Sequence, residues 1–171
     1  MIHYIIGDAT LPRQLPATIT HVCNSVGGFG KGFVVSLRDR YPITERAYRE
    51  WFAHKDSVSG EGWTATGPFG LGEVQFVQVS PHIQVANMIA QEGIRWVGGT
   101  PPIRYGSLDK CLQAVNEKSA GRTLHAPRMG SVLSGGDWET IVELIEKNIT
   151  MDIFIYTLES QKERWPTNYE K

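Results

Sequence analysis

Several things are scarce in this sequence, and each scarcity closes a door. There are only two cysteines, Cys23 and Cys111, and no Cys-x-x-Cys spacing joins them. They read as small buried hydrophobes in a reducing compartment. No excess of basic residues is present: 17 Lys and Arg stand against 18 Asp and Glu, for a net charge of −1. A general nucleic-acid binder carries a basic stripe, and none is visible, so an anionic ligand has to be held by local geometry. The start lacks a basic segment followed by an apolar one. No apolar run approaches the roughly 20 residues that span a bilayer. These absences lead us to expect a soluble cytoplasmic protein without a membrane partner. His3, His54, His82 and His125 are scattered without metal-ligand spacing, so neither a metal nor a cofactor is expected. No internal repeat or low-complexity segment is visible. Nothing calls for an obligate dimer, and a monomer is expected.

What is present suits one domain. The 171 residues are 41% apolar, enough for one core and too few for two comfortable ones. Apolar or alternating stretches at residues 2–6, 18–23, 73–79, 83–90, 123–126 and 151–158 predict six strands, with 73–79 and 83–90 forming a hairpin around Pro81. Helical spacing predicts helices from about Gly32 to Arg40, over 43–53, over 105–118 and from Asp137 onward. Residues 54–72 and 91–104 read as loops. The tail after residue 158 is polar and reads as loosely packed, with Trp165 and Tyr169 as candidate anchors. Strands alternating with helices point to an α/β layered domain with a mostly parallel sheet.

Two glycine-rich stretches stand where a strand ends and a helix begins: "GGFGKG" at residues 27–32, and "PRMGSVLSGG" at residues 127–136. In α/β sheets, ligands bind at the carboxyl ends of strands. A helix N-terminus offers unpaired N–H groups and partial positive charge to phosphate, and glycines let the main chain touch the ligand. Two such loops suit a diphosphate. The competing reading is that the glycines only make tight turns. The first loop is not a Walker sequence, since Gly32 and Phe33 follow Lys31, and it is not a clean dinucleotide fingerprint.

The ordered set "GDAT", "HVCNSVGGFGKGF", "VANMIAQEGI", "PPIRYGSLDKCL" and "PRMGSVLSGGDW" resembles the macrodomain family, which binds ADP-ribose. Within it the chain is most similar to the branch resembling the ADP-ribose-1″-phosphate phosphatases. The resemblance runs from about residue 2 to 158, one domain, leaving 159–171 as a tail. It implies a three-layer α/β/α sandwich with a mixed, roughly six-stranded sheet. It further implies that Asp8, with Ala9 beside it, accepts from the adenine amino group and that Asn24 holds the distal ribose hydroxyls. Gly28, Phe29, Gly30, Lys31 and Gly32 would line the distal ribose and diphosphate. Ser131, Val132, Leu133, Ser134, Gly135 and Gly136 would wrap the diphosphate from the other side, with Phe154 and Tyr156 near adenine. Two departures stand out. Val132 replaces the second glycine usual in that loop, with a side chain able to narrow the channel. The stretch 83–95 offers Gln84, Gln91, Glu92 and Arg95 but no lysine, against a lysine-dependent glycohydrolase.

Dephosphorylation needs an attacking water, charge stabilisation and a proton for the leaving oxygen. His21 is the candidate acid or base by type, and a hydrogen-bonded core histidine is the competing reading. Asn24 is a candidate to position a hydroxyl or water. Asp137 is read as a helix cap or as an orienter of water or of His21. Lys31 either offsets phosphate charge or is a solvated surface residue. The expected activity is metal-free hydrolysis of ADP-ribose 1″-phosphate. The alternatives are a binding module for free or protein-linked ADP-ribose, and an ADP-ribosyl hydrolase or O-acetyl-ADP-ribose deacylase using the same cleft.

Overall fold

The strand Ile83–Gln91 is apolar on both faces: Ile83, Val85 and Ile89 join one buried cluster, and Ala86, Met88 and Ala90 another. A strand of that kind has to lie between two layers. The computed structural model, which describes residues 1–171, places it in the middle of a sheet with helices on both sides.

The strands are β1 (Ile2–Ile6), β2 (Ala17–Asn24), β3 (Ser59–Gly60), β4 (Trp63–Ala65), β5 (Val74–Ser80), β6 (Ile83–Gln91), β7 (Thr123–Ala126) and β8 (Ile153–Thr157). They form one sheet in the order β1-β8-β7-β2-β6-β5-β4-β3. The first five of that order run parallel, and β5, β4 and β3 are added antiparallel. The sheet is therefore mixed, as expected, but has eight strands rather than six. The two extra strands fall inside 54–72, where two- and three-residue pairings are too short to show alternation.

The helices α1 (Phe33–Arg40) and α2 (Ile43–Ala53) cover one face. There Leu37, Tyr48 and Trp51 pack on Ile19, Val85 and Ile89. The helices α3 (Tyr105–Lys118) and α4 (Trp138–Asn148) cover the other, with Leu108, Leu112 and Ile141 against Met88, Leu124 and Ile155. No helix is long and apolar enough to cross a membrane.

The tail is more firmly held than its composition predicts. Glu170 N–H donates to the Tyr4 carbonyl at 2.8 Å, so the chain returns to the edge strand β1. Trp165 stacks on the Arg128 guanidinium at 4.9 Å, and the Tyr169 hydroxyl donates to the Trp165 carbonyl at 2.5 Å.

Candidate functional site

β2 and β7 are parallel neighbours, so the two glycine-rich loops leave the same edge of the sheet. β1 and β8 end at that edge as well. Between these ends lies a cleft of about 760 Å³, within the usual range for a small-molecule site. A second hollow, of about 420 Å³, is lined by eight apolar residues and Glu146, and offers little chemistry.

The cleft brings together most of the residues singled out from the sequence. Asp8 and Ala9 line it from the end of β1, His21 and Asn24 from β2, and Tyr156 from β8. Gly28, Gly30, Lys31 and Gly32 line one wall, and Val132, Leu133 and Ser134 the facing one. Phe29, Ser131, Gly135, Gly136, Asp137 and Phe154 stand outside the lining. Phe29 is 1% exposed and anchors the first loop from below, its ring 5.4 Å from that of Tyr48. The Ser131 hydroxyl donates to the Arg128 carbonyl at 2.7 Å. Gly135 backs onto Trp96 and Pro101. Gly136 N–H donates to the Gly130 carbonyl at 2.8 Å, and a side chain at 136 would collide with that carbonyl. Phe154 is stacked between His3 and His125.

Asp137 caps α4. Its Oδ2 accepts from Thr140 N–H at 3.1 Å and from the Thr140 hydroxyl at 2.8 Å. The carboxylate satisfies the Thr140 N–H of that helix end, and neither Asp137 nor Trp138 lines the cleft. The α1 N-terminus differs: its cap is Gly32 at φ +83, and no side chain bonds to its first turn. Gly32, Phe33, Val34 and Ser36 of this end all line the cleft. The second loop thus contributes its middle, and only the first contributes a helix end.

Asn24 is the organiser of the first loop. Its Oδ1 accepts from Val26 N–H and Gly28 N–H, each at 3.0 Å, and its Nδ2 donates to the Gly28 carbonyl at 2.9 Å. The Tyr48 hydroxyl donates to the Asn24 carbonyl at 2.5 Å. Tyr48 is buried in the core under α2 and also pins the loop. Asp8 Oδ1 accepts twice from Thr10.

Three cations line the cleft, Lys31, Arg95 and Arg128, against one carboxylate, Asp8. This local excess occurs in a chain of net charge −1. Arg128 is 9% exposed and sits among the rings of Tyr4, Trp138 and Trp165, with Nε donating to the Thr157 hydroxyl at 3.2 Å. It lies inside the glycine-rich stretch 127–136 as a lone charge between a strand and a loop, and that placement is the signal that marks it in the sequence. Ile94, Arg95, Leu158 and Gln161 also line the cleft, from segments without periodicity. Gln91 ties the walls together, accepting a short hydrogen bond from the Ser134 hydroxyl. Leu133 reaches across toward the first loop: its Cδ1 lies 2.7 Å from where a Gly32 Cβ would stand.

His21 is 2% exposed, with Nε2 at 2.5 Å from Asn87 Oδ1 and Cys23 Sγ at 3.7 Å. Burial pushes its pKa down to about 4, against the raising effect of Asn87. Its partner is Asn87, not Asp137. The second buried histidine, His125, has both ring nitrogens engaged, by Thr123 and Tyr156 hydroxyls. No group of three His, Cys, Asp or Glu side chains is placed to hold a metal ion.

No family model matches the sequence, and no curated protein matches it. Solved structures do. A protein of unknown function from Bacteroides thetaiotaomicron shares 37% identity at a TM-score of 0.82, over 92% of this chain and 98% of that one. A macrodomain protein from Streptomyces coelicolor shares 38% identity at a TM-score of 0.76, over 92% of this chain and 99% of that one. Thermosipho africanus DarTG in complex with ADP-ribose is similar in fold, at 14% identity and a TM-score of 0.61, over 84% of this chain and 38% of that one.

Proposed function

The chain belongs to the macrodomain family, and on that premise we propose that its cleft binds an ADP-ribose derivative and removes the phosphate of ADP-ribose 1″-phosphate. One observation carries the ligand class: an uncapped helix end, bordered by glycine main chain, opens into a cleft with three cations and one carboxylate. Main-chain nitrogens at a helix end and local cations suit a pyrophosphate. The ADP-ribose held by the Thermosipho protein of the same fold supports the same class.

In this reading the Asp8 oxygen not used by Thr10 accepts from the adenine amino group. The loop shaped by Asn24 borders the distal ribose. Gly30, Lys31 and Gly32 face Val132, Leu133 and Ser134 across the diphosphate. Water attacks phosphorus without a metal, and His21 is the group that handles its proton. A second reading, binding without turnover, draws support from the enclosure of His21 at 2% exposure and from the commitment of Asn24 and Asp137 to local structure.

The test is phosphate release from ADP-ribose 1″-phosphate in the presence of a chelator. The wild type is expected to release phosphate, and His21→Ala to lose on the order of 100-fold in rate, the lower end of what a positioned acid or base contributes. Binding without release in the wild type supports the module. Undiminished release by His21→Ala removes His21 from the chemistry.

A further inference from the structure

Three polar side chains form one row across the sheet, on the face covered by α1 and α2. His21 of β2 is in register with Asn87 of β6, and Asn87 with Gln75 of β5. All three are buried. His21 Nε2 lies 2.5 Å from Asn87 Oδ1. Asn87 Nδ2 donates to Gln75 Oε1 at 3.0 Å, and Gln75 Nε2 donates to the Ala47 carbonyl in α2 at 2.8 Å.

One end of this row cannot be reversed. A main-chain carbonyl only accepts, so Gln75 turns its NH₂ toward Ala47 and its oxygen toward Asn87. Asn87 must then give its NH₂ to Gln75, which leaves its oxygen for His21. An amide oxygen also only accepts, so the ring nitrogen facing it carries the hydrogen. Turning either amide around would leave buried donors and acceptors unpaired. The only polar neighbour of Nδ1 is the Cys23 sulfur at 3.9 Å.

We infer that the Ala47–Gln75–Asn87 row fixes His21 as its Nε2–H tautomer, leaving the Nδ1 lone pair as the chemical function of the ring. Asn87 and Gln75 are then positioning residues. Neither carries charge, so they orient the ring without making it strongly basic, and it stays neutral down to about pH 4. What Nδ1 does rests on the hydrolytic reading of the cleft; the tautomer does not. In that reaction the water oxygen bonds to phosphorus, and the water proton passes to Nδ1. The bond from phosphorus to the ribose oxygen breaks with its electron pair on that oxygen, which takes the proton back from Nδ1. His21 enters as an acceptor and leaves unchanged, its Nε2–H held by Asn87 throughout.

Long-range proton–nitrogen correlation spectra of the full chain, with histidines labelled in nitrogen-15, test this without substrate. His21→Ala identifies the signal. At neutral pH the wild type is expected to show Nε2 protonated and Nδ1 bare. Gln75→Met removes the anchor without touching the ring, and both tautomers are expected together. Asn87→Asp keeps an acceptor, so Nε2–H should persist while the ring takes up its second proton at higher pH. A bare Nε2 in the wild type overturns the inference, as does an unmixed Nε2–H in Gln75→Met. Should that variant not fold, the wild-type spectrum and Asn87→Asp still decide. Nε2–H without phosphate release would sink the phosphatase reading and leave the row intact; release with a bare Nε2 would do the reverse.

Discussion

The two glycine-rich corners are alike in sequence and placed on neighbouring parallel strands, yet they are held in different ways. The first is shaped by a side chain within the strand, Asn24, and its helix begins uncapped at Gly32. The second closes on itself through Gly136 and Gly130, and its helix is capped by Asp137. A main-chain donor serves a ligand only if nothing in the protein has already satisfied it. The first corner therefore offers a helix end to the cleft, whereas the second offers a wall of Val132, Leu133 and Ser134. Glycine content shows that backbone will bend; capping decides whether the bend is open to a ligand.

Three experiments sharpen or break this contrast. Acid has the largest expected effect. His21 at the root of the first corner and His125 at the root of the second are both pushed down to about 4 by burial. A histidine in the unfolded chain takes its proton near 6.5. Below that pH the unfolded state binds more protons, so this part of stability is complete above about 6.5 and is lost as pH falls toward 4. For His21 the loss is on the order of 3 kcal/mol. Urea midpoints between about pH 7.5 and about pH 4.5 read it directly. His21→Gln and His125→Gln should each flatten the profile to a similar degree, because burial lowers both rings to about 4. A profile flattened by only one of the two substitutions would set the two roots apart.

Next comes Gly30→Val. A Cβ at Gly30 meets nothing within 4 Å, and the residue lines the cleft. We expect ADP-ribose affinity to fall on the order of 100-fold, about 2.7 kcal/mol, with the melting temperature unchanged. Calorimetry finding wild-type affinity would remove the first corner from the binding surface. The smallest effect belongs to Asp137→Ala, which removes the α4 cap. It should lower folding stability by ~1 kcal/mol and leave ADP-ribose affinity unaltered. A matching loss of affinity would mean that the second helix end does face the ligand.

Much of this was legible in the chain. The periods of the long strands and helices placed six strands, four helices and both corners, and Asp137 followed by an amphipathic run marked a helix start. Strands of two and three residues, such as Ser59–Gly60 and Trp63–Ala65, left no such trace, because alternation needs length to be seen. The wall from Leu158 and Gln161 left none either, since nothing periodic marks a tail that folds back over a sheet edge.

Residue types and spacing by themselves determined that His21, Asn87 and Gln75 each lie on a strand, because alternation is a local property of the chain. Only the tertiary structure decided that the three meet. Strand register depends on how distant segments slide against one another, and a shift by one residue turns every side chain to the opposite face. The same holds for the charge of the cleft: a nearly neutral composition says nothing about where Lys31, Arg95 and Arg128 converge, which packing alone sets.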